Sequence, residues 1–282
     1  MNINFITPNL YHIPESHWND RLKKSDINLS VVYGYPKNKD NIVVVSDYAL
    51  LDHFMFDNSI FYFDESYKNT YGWIIESPVI LEYFVPGYSD NVLGRLNKFV
   101  KIFTHNKRLL DISDKFVFYP HGDCWIENYT ESNKNKLVSM ISSEKDWVIG
   151  HRLRHKIIKD LRGMFDLYGK DYNPIDKKES GLNEYCYSIV VENCREDYYF
   201  TEKLVDCFRT KTIPIYWGCP SIGNFFDING ILTFSNTENL REILNKIKDG
   251  ELYSKLKSSV VSNYIESLKY DTLFSHFHKL IN

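Results

Sequence analysis

Residues 185–223 read YCYSIVVENCREDYYFTEKLVDCFRTKTIPIYWGCPSIG. Tyr185 to Val191 is an apolar run rich in aromatic and β-branched residues, the pattern of a buried strand. The polar segment Glu192 to Asp197 interrupts it. From Thr201 the apolar residues Leu204, Val205 and Phe208 recur at helical spacing. Thr212 to Trp217 is a second apolar strand, and Gly218 with Pro220 ends it. Strand, helix and strand in this order predict a right-handed βαβ unit. Ligands of such sheets bind beyond the carboxyl ends of the strands, which puts Glu192 and Asn193 at the expected binding edge. Thr201, Glu202 and Lys203 fall on the first turn of the helix, where unpaired N–H groups and the dipole attract anions. Taken by themselves, the three residues read rather as a capped helix start carrying a solvated Glu–Lys pair.

The whole stretch closely resembles the donor-binding motif of family-10 glycosyltransferases, the α-1,3-fucosyltransferases. That motif has an aromatic strand, the tripeptide FEN, a short loop and then Tyr-hydrophobic-Thr-Glu-Lys. Here the corresponding residues are Val191-Glu192-Asn193 and Tyr199-Phe200-Thr201-Glu202-Lys203. The resemblance implies the GT-B architecture: two Rossmann-like α/β halves with the active site in the cleft between them. It also implies that the C-terminal half binds a nucleotide sugar, that the N-terminal half binds the acceptor and supplies a base, and that the last helix crosses back to the first half.

Strands alternate with helices along the rest of the chain, as an α/β layer fold requires. Strands are expected at residues 2–6, 29–35, 41–46, 59–63, 72–75, 116–119, 137–141, 164–168 and 231–234. Helices are expected at 14–24, 106–112 and 151–162, and in helical rhythm from about Thr237 to the end. Residues 127–136, ENYTESNKNK, are polar and read as an interdomain connection. The expected division is therefore an acceptor half at 1–130 and a nucleotide-sugar half at 137–282.

The chain has 282 residues, 43 % of them hydrophobic and 25 % charged, enough material for two cores. Its net charge of −3 gives no basic field for nucleic acid. Five cysteines without C-x-x-C spacing argue against a zinc site or a disulfide framework and for reduced thiols in a cytoplasmic setting. The N-terminus lacks a signal-peptide pattern, and no apolar run is long enough to span a bilayer.

The reaction implied by the resemblance moves a sugar from a nucleoside diphosphate to an acceptor hydroxyl with inversion. A departing diphosphate needs positive charge, and the acceptor hydroxyl needs a base. For the diphosphate the candidates are Lys203 with the Thr201 helix start, then Arg152 and Arg154 in GHRLRHK. Arg152 is the better positional match to the family's helix arginine, and a guanidinium fork suits paired phosphate oxygens. Glu202 is assigned to the ribose, and Tyr199 and Asn193 to the diphosphate and donor sugar. The family's Ser-Asn upstream is replaced by Ser143-Glu144. For the base the candidate is Glu76 in GWIIESPVI, a carboxylate behind an apolar strand whose surroundings would raise its pKa. The E-S-P tripeptide is similar to one in the family, although some bacterial members carry a further glutamate where this chain has Ile74. The turn YPHGDCWIE offers His121, Asp123 and Trp125 as a second cleft or acceptor patch. No D-x-D pair is present to hold a divalent ion against a diphosphate, so no metal or cofactor is expected beside the co-substrate. GDP-fucose is the default donor. UDP-xylose is the rival donor, and a non-catalytic nucleotide-sugar or glycan-binding module is the rival class.

Overall fold

Short apolar runs separated by helices build two parallel sheets in the computed structural model, which describes residues 2–7, 10, 12–50, 66–84, 86–127, 129, 131–248 and 250–280. The expected strand at 59–63 lies outside the described residues. The chain divides into two compact units, residues 1–121 with 271–282, and residues 122–270.

The first unit carries β1 (Asn2–Ile6), α1 (Glu15–Lys24), β2 (Ser30–Tyr33), β3 (Ile42–Ser46), α2 (Asp47–Leu50), β4 (Asn69–Ile74), α3 (Pro78–Phe84), α4 (Tyr88–Leu93), β5 (Ile102–Thr104), α5 (Lys107–Leu110) and β6 (Phe116–Phe118). Its described strands are ordered β2-β1-β3-β4-β5-β6, all parallel. One face packs Ile3, Phe5, Val31, Val44, Trp73 and Phe103 against Trp18 and Leu22 of α1.

The second unit carries β7 (Lys136–Ile141), α6 (Ile149–Asp160), β8 (Asp166–Tyr168), β9 (Tyr185–Val191), α7 (Glu202–Arg209), β10 (Ile213–Trp217), β11 (Leu232–Thr233), α8 (Thr237–Lys246), α9 (Glu251–Lys255) and α10 (Lys257–Ser267). The order is β11-β10-β9-β7-β8, again parallel. All seven residues of β9 are buried, because a parallel strand with helices on both faces has no solvent side. Ile189 and Val191 enter a core with Ile157, Leu161, Leu240 and Leu244. Val190, pointing the other way, joins Leu204, Val205 and Phe208 of α7. β7 feeds α6 and β8 on one side, while β9 feeds α7 and β10 on the other. The strand order therefore reverses between β7 and β9, which is where such sheets open a crevice.

The boundary differs from the one expected at 127–136. That polar stretch is stitched into the second unit: Ser132 Oγ donates to Asn183 O (2.7 Å), and Lys134 Nζ donates to Leu182 O (3.2 Å), Thr210 O (2.7 Å) and Thr212 Oγ1 (2.8 Å). Its side chains satisfy backbone carbonyls, a use that composition cannot distinguish from solvation. The last residues, with α11 (Phe277–Leu280), belong to the first unit. Phe274 and Phe277 are fully buried there, with ring centroids 4.7 and 5.2 Å from Phe5, and Tyr119 donates its hydroxyl to Leu273 O. No described helix is long and apolar enough to cross a membrane.

Candidate active site

In the second unit the start of α6 is pressed against the end of β9. Gly150 N donates to Asn193 O (3.0 Å), and a Cβ on Gly150 would lie 1.9 Å from Glu192 O. One turn further, Arg154 is buried and its guanidinium closes over the strand end. Nε and Nη2 donate to Val191 O (3.0 and 2.7 Å), and Nη2 also donates to Asn193 Oδ1 (3.0 Å). Burial lowers the Arg154 pKa, against the pull of Glu192, Tyr199 and Glu202. Arg152 is exposed on the other face of α6, with Nη2 3.3 Å from Trp147 O. There it lines an open depression of about 570 Å³ with Glu144, Asp146, His155 and Tyr172. It is thus Arg154, the second of the two candidate arginines, that the fold brings to Asn193.

The start of α7 stands at the same strand end. Thr201 is its N-cap, accepting from Lys203 N (3.3 Å), and it donates from N and Oγ1 to the two Glu192 carboxylate oxygens (2.9 and 2.8 Å). Glu192 is wholly buried, and burial raises its pKa although Lys203 and the Thr201 bonds oppose the shift. Lys203 Nζ lies 3.2 Å from Glu202 Oε1, 3.8 Å from Glu192 Oε2 and 3.1 Å from Thr201 Oγ1. Tyr199 is buried, and Tyr198 before it is held at φ 67° with its N–H on Ser221 Oγ (3.1 Å).

A third group completes the cluster. Glu202 also faces Lys178 Nζ (3.5 Å), which is 2.7 Å from the buried Asp206 and 4.2 Å from the Trp125 ring centroid. Burial works against the Lys178 charge, but Asp206 and Glu202 outweigh it and hold the ammonium protonated. Asp206 further accepts from Trp125 N (2.6 Å). Asp206 is four residues after Glu202, so their common helix face was readable in sequence. Lys178 opens a short 3-10 helix (Lys178–Gly181) ahead of β9 and left no local signal.

In the first unit Glu76 follows β4 and is half-buried. Asp47, buried and at φ 40°, accepts from Ile75 N (2.8 Å) and Glu76 N (3.2 Å) through Oδ1, and so ties the end of β3 to the turn carrying Glu76. His121 lies beside the buried His105, ring centroids 5.6 Å apart. Burial first, and His121 second, hold His105 well below the ordinary histidine pKa. Asp123 belongs to the other unit and accepts from Cys124 N (2.8 Å) and Trp125 Nε1 (3.0 Å). His105, at the end of β5, is the residue that the sequence reading missed here. Among the described residues no group of three His, Cys, Asp or Glu side chains is placed to hold a metal ion. The five cysteines are buried free thiols.

Two parallel-sheet α/β units, the second with two helix starts and two cationic side chains at the end of β9, have the architecture of the GT-B fold. The solved structures agree on the fold. An α1,3-fucosyltransferase with GDP-fucose superposes with a TM-score of 0.56 at 14 % identity, covering 96 % of this chain and 91 % of that one. A DNA-modifying β-glucosyltransferase studied with and without uridine diphosphoglucose gives 0.54 at 13 % identity, covering 100 % and 99 %. In sequence, residues 131–265 match the C-terminal domain of glycosyltransferase family 10 (fucosyltransferase). A stretch of 77 residues is 35 % identical to the alpha-(1,3)-fucosyltransferase FucT of Helicobacter pylori, spanning 27 % of this chain and 16 % of that relative. The likeness to glycosyltransferase family 10 is thus that of residues 131–265, and the chain spans about a sixth of the length of the curated relative it matches.

Proposed function

We propose that this protein transfers a sugar from a nucleoside-diphosphate donor, GDP-fucose by default, to a hydroxyl of a glycan acceptor with inversion at the anomeric carbon. The observation that carries this reading is the convergence at the end of β9. Lys203 stands at the head of α7, and Arg154 from α6 is held at the same strand end, each within reach of Glu192 or Asn193. Cationic donors fixed beside helix starts stabilise a diphosphate as it takes up charge on leaving, and they need no reorganisation at that moment.

In this scheme Lys203 and Arg154 carry the leaving group, with Arg152 an outlying contributor. Glu202, oriented by Lys178 and Lys203, accepts from the ribose hydroxyls. Asn193 and Tyr199 position the diphosphate and the donor sugar. Glu76 takes the acceptor proton, so that the hydroxyl oxygen attacks as the bond from the anomeric carbon to the diphosphate breaks. The GDP-fucose complex of the fucosyltransferase neighbour, and the match of residues 131–265 to the family-10 (fucosyltransferase) domain, support GDP-fucose over a UDP sugar.

The test is calorimetric binding of GDP-fucose and UDP-glucose together with turnover against oligosaccharide acceptors. Removing one charge-assisted contact, as in Lys203→Ala or Arg154→Ala, is expected to weaken donor binding by about 10- to 100-fold, from about 1.5–3 kcal/mol per bond. Glu76→Gln is expected to lower kcat by about 10²–10⁴-fold with donor affinity retained. Binding of neither nucleotide sugar, or full turnover in Glu76→Gln, would contradict the respective assignment.

A further inference from the structure

His151 stands on the first turn of α6 and is only 3 % exposed, yet its Nδ1 has no hydrogen-bond partner. Asn193, the side chain that receives Arg154, is the neighbour that favours the protonated ring. Three cations face it: Arg154 from its own helix, Lys145 from the loop after β7, and Lys203 from α7. The nearby carboxylates, Glu192 at the end of β9 and Glu202 on α7, are engaged by Lys203. A helix N-terminus also disfavours a cation. Burial first, and then the three cations, outweigh Asn193 and pull the imidazole's pKa down to about 4, so the ring stands neutral. A dianion arriving between Arg154 and Lys203 would reverse the local field.

We propose that His151 is a latent phosphate ligand of the donor site, neutral in the empty protein, which takes up a proton from solvent when the pyrophosphate binds and donates from Nδ1 to one of its oxygens. The inference rests on the donor-site reading above. The imidazole gains one proton on binding and returns it to solvent when the nucleotide departs, so the site presents an additional positive charge only while the pyrophosphate is in place. The sign follows from linkage. A group whose pKa is higher in the complex than in the free protein makes binding tighten as pH falls from the bound pKa towards the free one, and the effect levels off below about 4.

The experiment is titration calorimetry with GDP-fucose and with UDP-glucose, whose diester pyrophosphates do not titrate between pH 5 and 8. It is run in two buffers of different ionisation enthalpy. Uptake approaching about one proton near pH 5.5 is expected, with Kd tightening by up to about tenfold per pH unit. In His151→Asn the uptake disappears and the pH dependence flattens, whereas His155→Asn, on the outer face of the same helix, behaves as wild type. Should His151→Asn fail to fold, the imidazole ¹⁵N shifts of the wild-type protein with and without nucleotide sugar report the same protonation change. Binding without proton uptake overturns the role of His151 and leaves the donor site standing. Binding of neither compound removes the donor-site reading and this proposal with it.

Discussion

Lys178 shows how one side chain can hold a site that it does not enter. Its ammonium is 2.7 Å from Asp206 and 3.5 Å from Glu202, and it caps the Trp125 ring. Asp206 is 1 % exposed, so truncation of the lysine would strand a buried carboxylate. Breaking a buried pair from one side costs about 3–5 kcal/mol, far more than an exposed pair is worth. Lys178→Met should therefore lower the melting temperature markedly and free Glu202 from one of its two lysines, and adding Asp206→Asn should recover much of the loss. A double-mutant cycle in thermal unfolding checks this. The candidate residues of the TEK segment were legible because a cap residue, an acid and a base occupy consecutive first-turn positions. Lys178, His105 and the partnering of Arg154 with Asn193 were not, because nothing local marks which distant side chain a fold will bring near. Arg152 and Arg154 differ only in the helix face they occupy, and the burial of that face was the missing fact.

At the scale of elements, the decisive contact is the start of α6 against the end of β9. Gly150 allows it, since a Cβ there would sit 1.9 Å from the Glu192 carbonyl oxygen. Two effects compete in Gly150→Ala. Alanine is the better helix former by about 1 kcal/mol, but the clash is with backbone, which cannot rotate away, and overpacking of this kind costs about 1–3 kcal/mol. Packing is expected to win: the variant should lose up to about 2 kcal/mol and bind nucleotide sugar more weakly, as urea denaturation and calorimetry would show. An unchanged Kd would mean that α6 does not set the donor geometry. The strands β9 and β10 were legible in the sequence because a parallel strand covered on both faces must be apolar throughout. Their boundaries followed from the polar residues at each end. The helix at α6 was also legible, from Ile157, Ile158 and Leu161 recurring at helical spacing, although it begins two residues before the expected His151.

At the scale of the whole molecule, two α/β units were expected and two are present, but the division passes through 121/122 and 270/271. Polarity at 127–136 suggested a linker, and the structure spends that polarity on the carbonyls of Leu182 and Thr210. The return of the chain to the first unit is carried by aromatic packing: Phe274 meets Phe5, Trp18 and Trp73 with ring centroids 4.7, 5.1 and 5.4 Å apart. Phe274→Ala should cost about 3–5 kcal/mol. Hydrogen exchange should locate the loss of protection in the strands between residues 2 and 118 rather than uniformly along the chain.

That return also fixes an order of events during synthesis. While the ribosome is still adding residues 122–270, the first sheet lacks the two phenylalanines that fill its core. The residues before 122 must then wait, incompletely packed, for those after 270. The second unit, contiguous in sequence, can close as soon as it emerges, and the first is completed only after the second has been made.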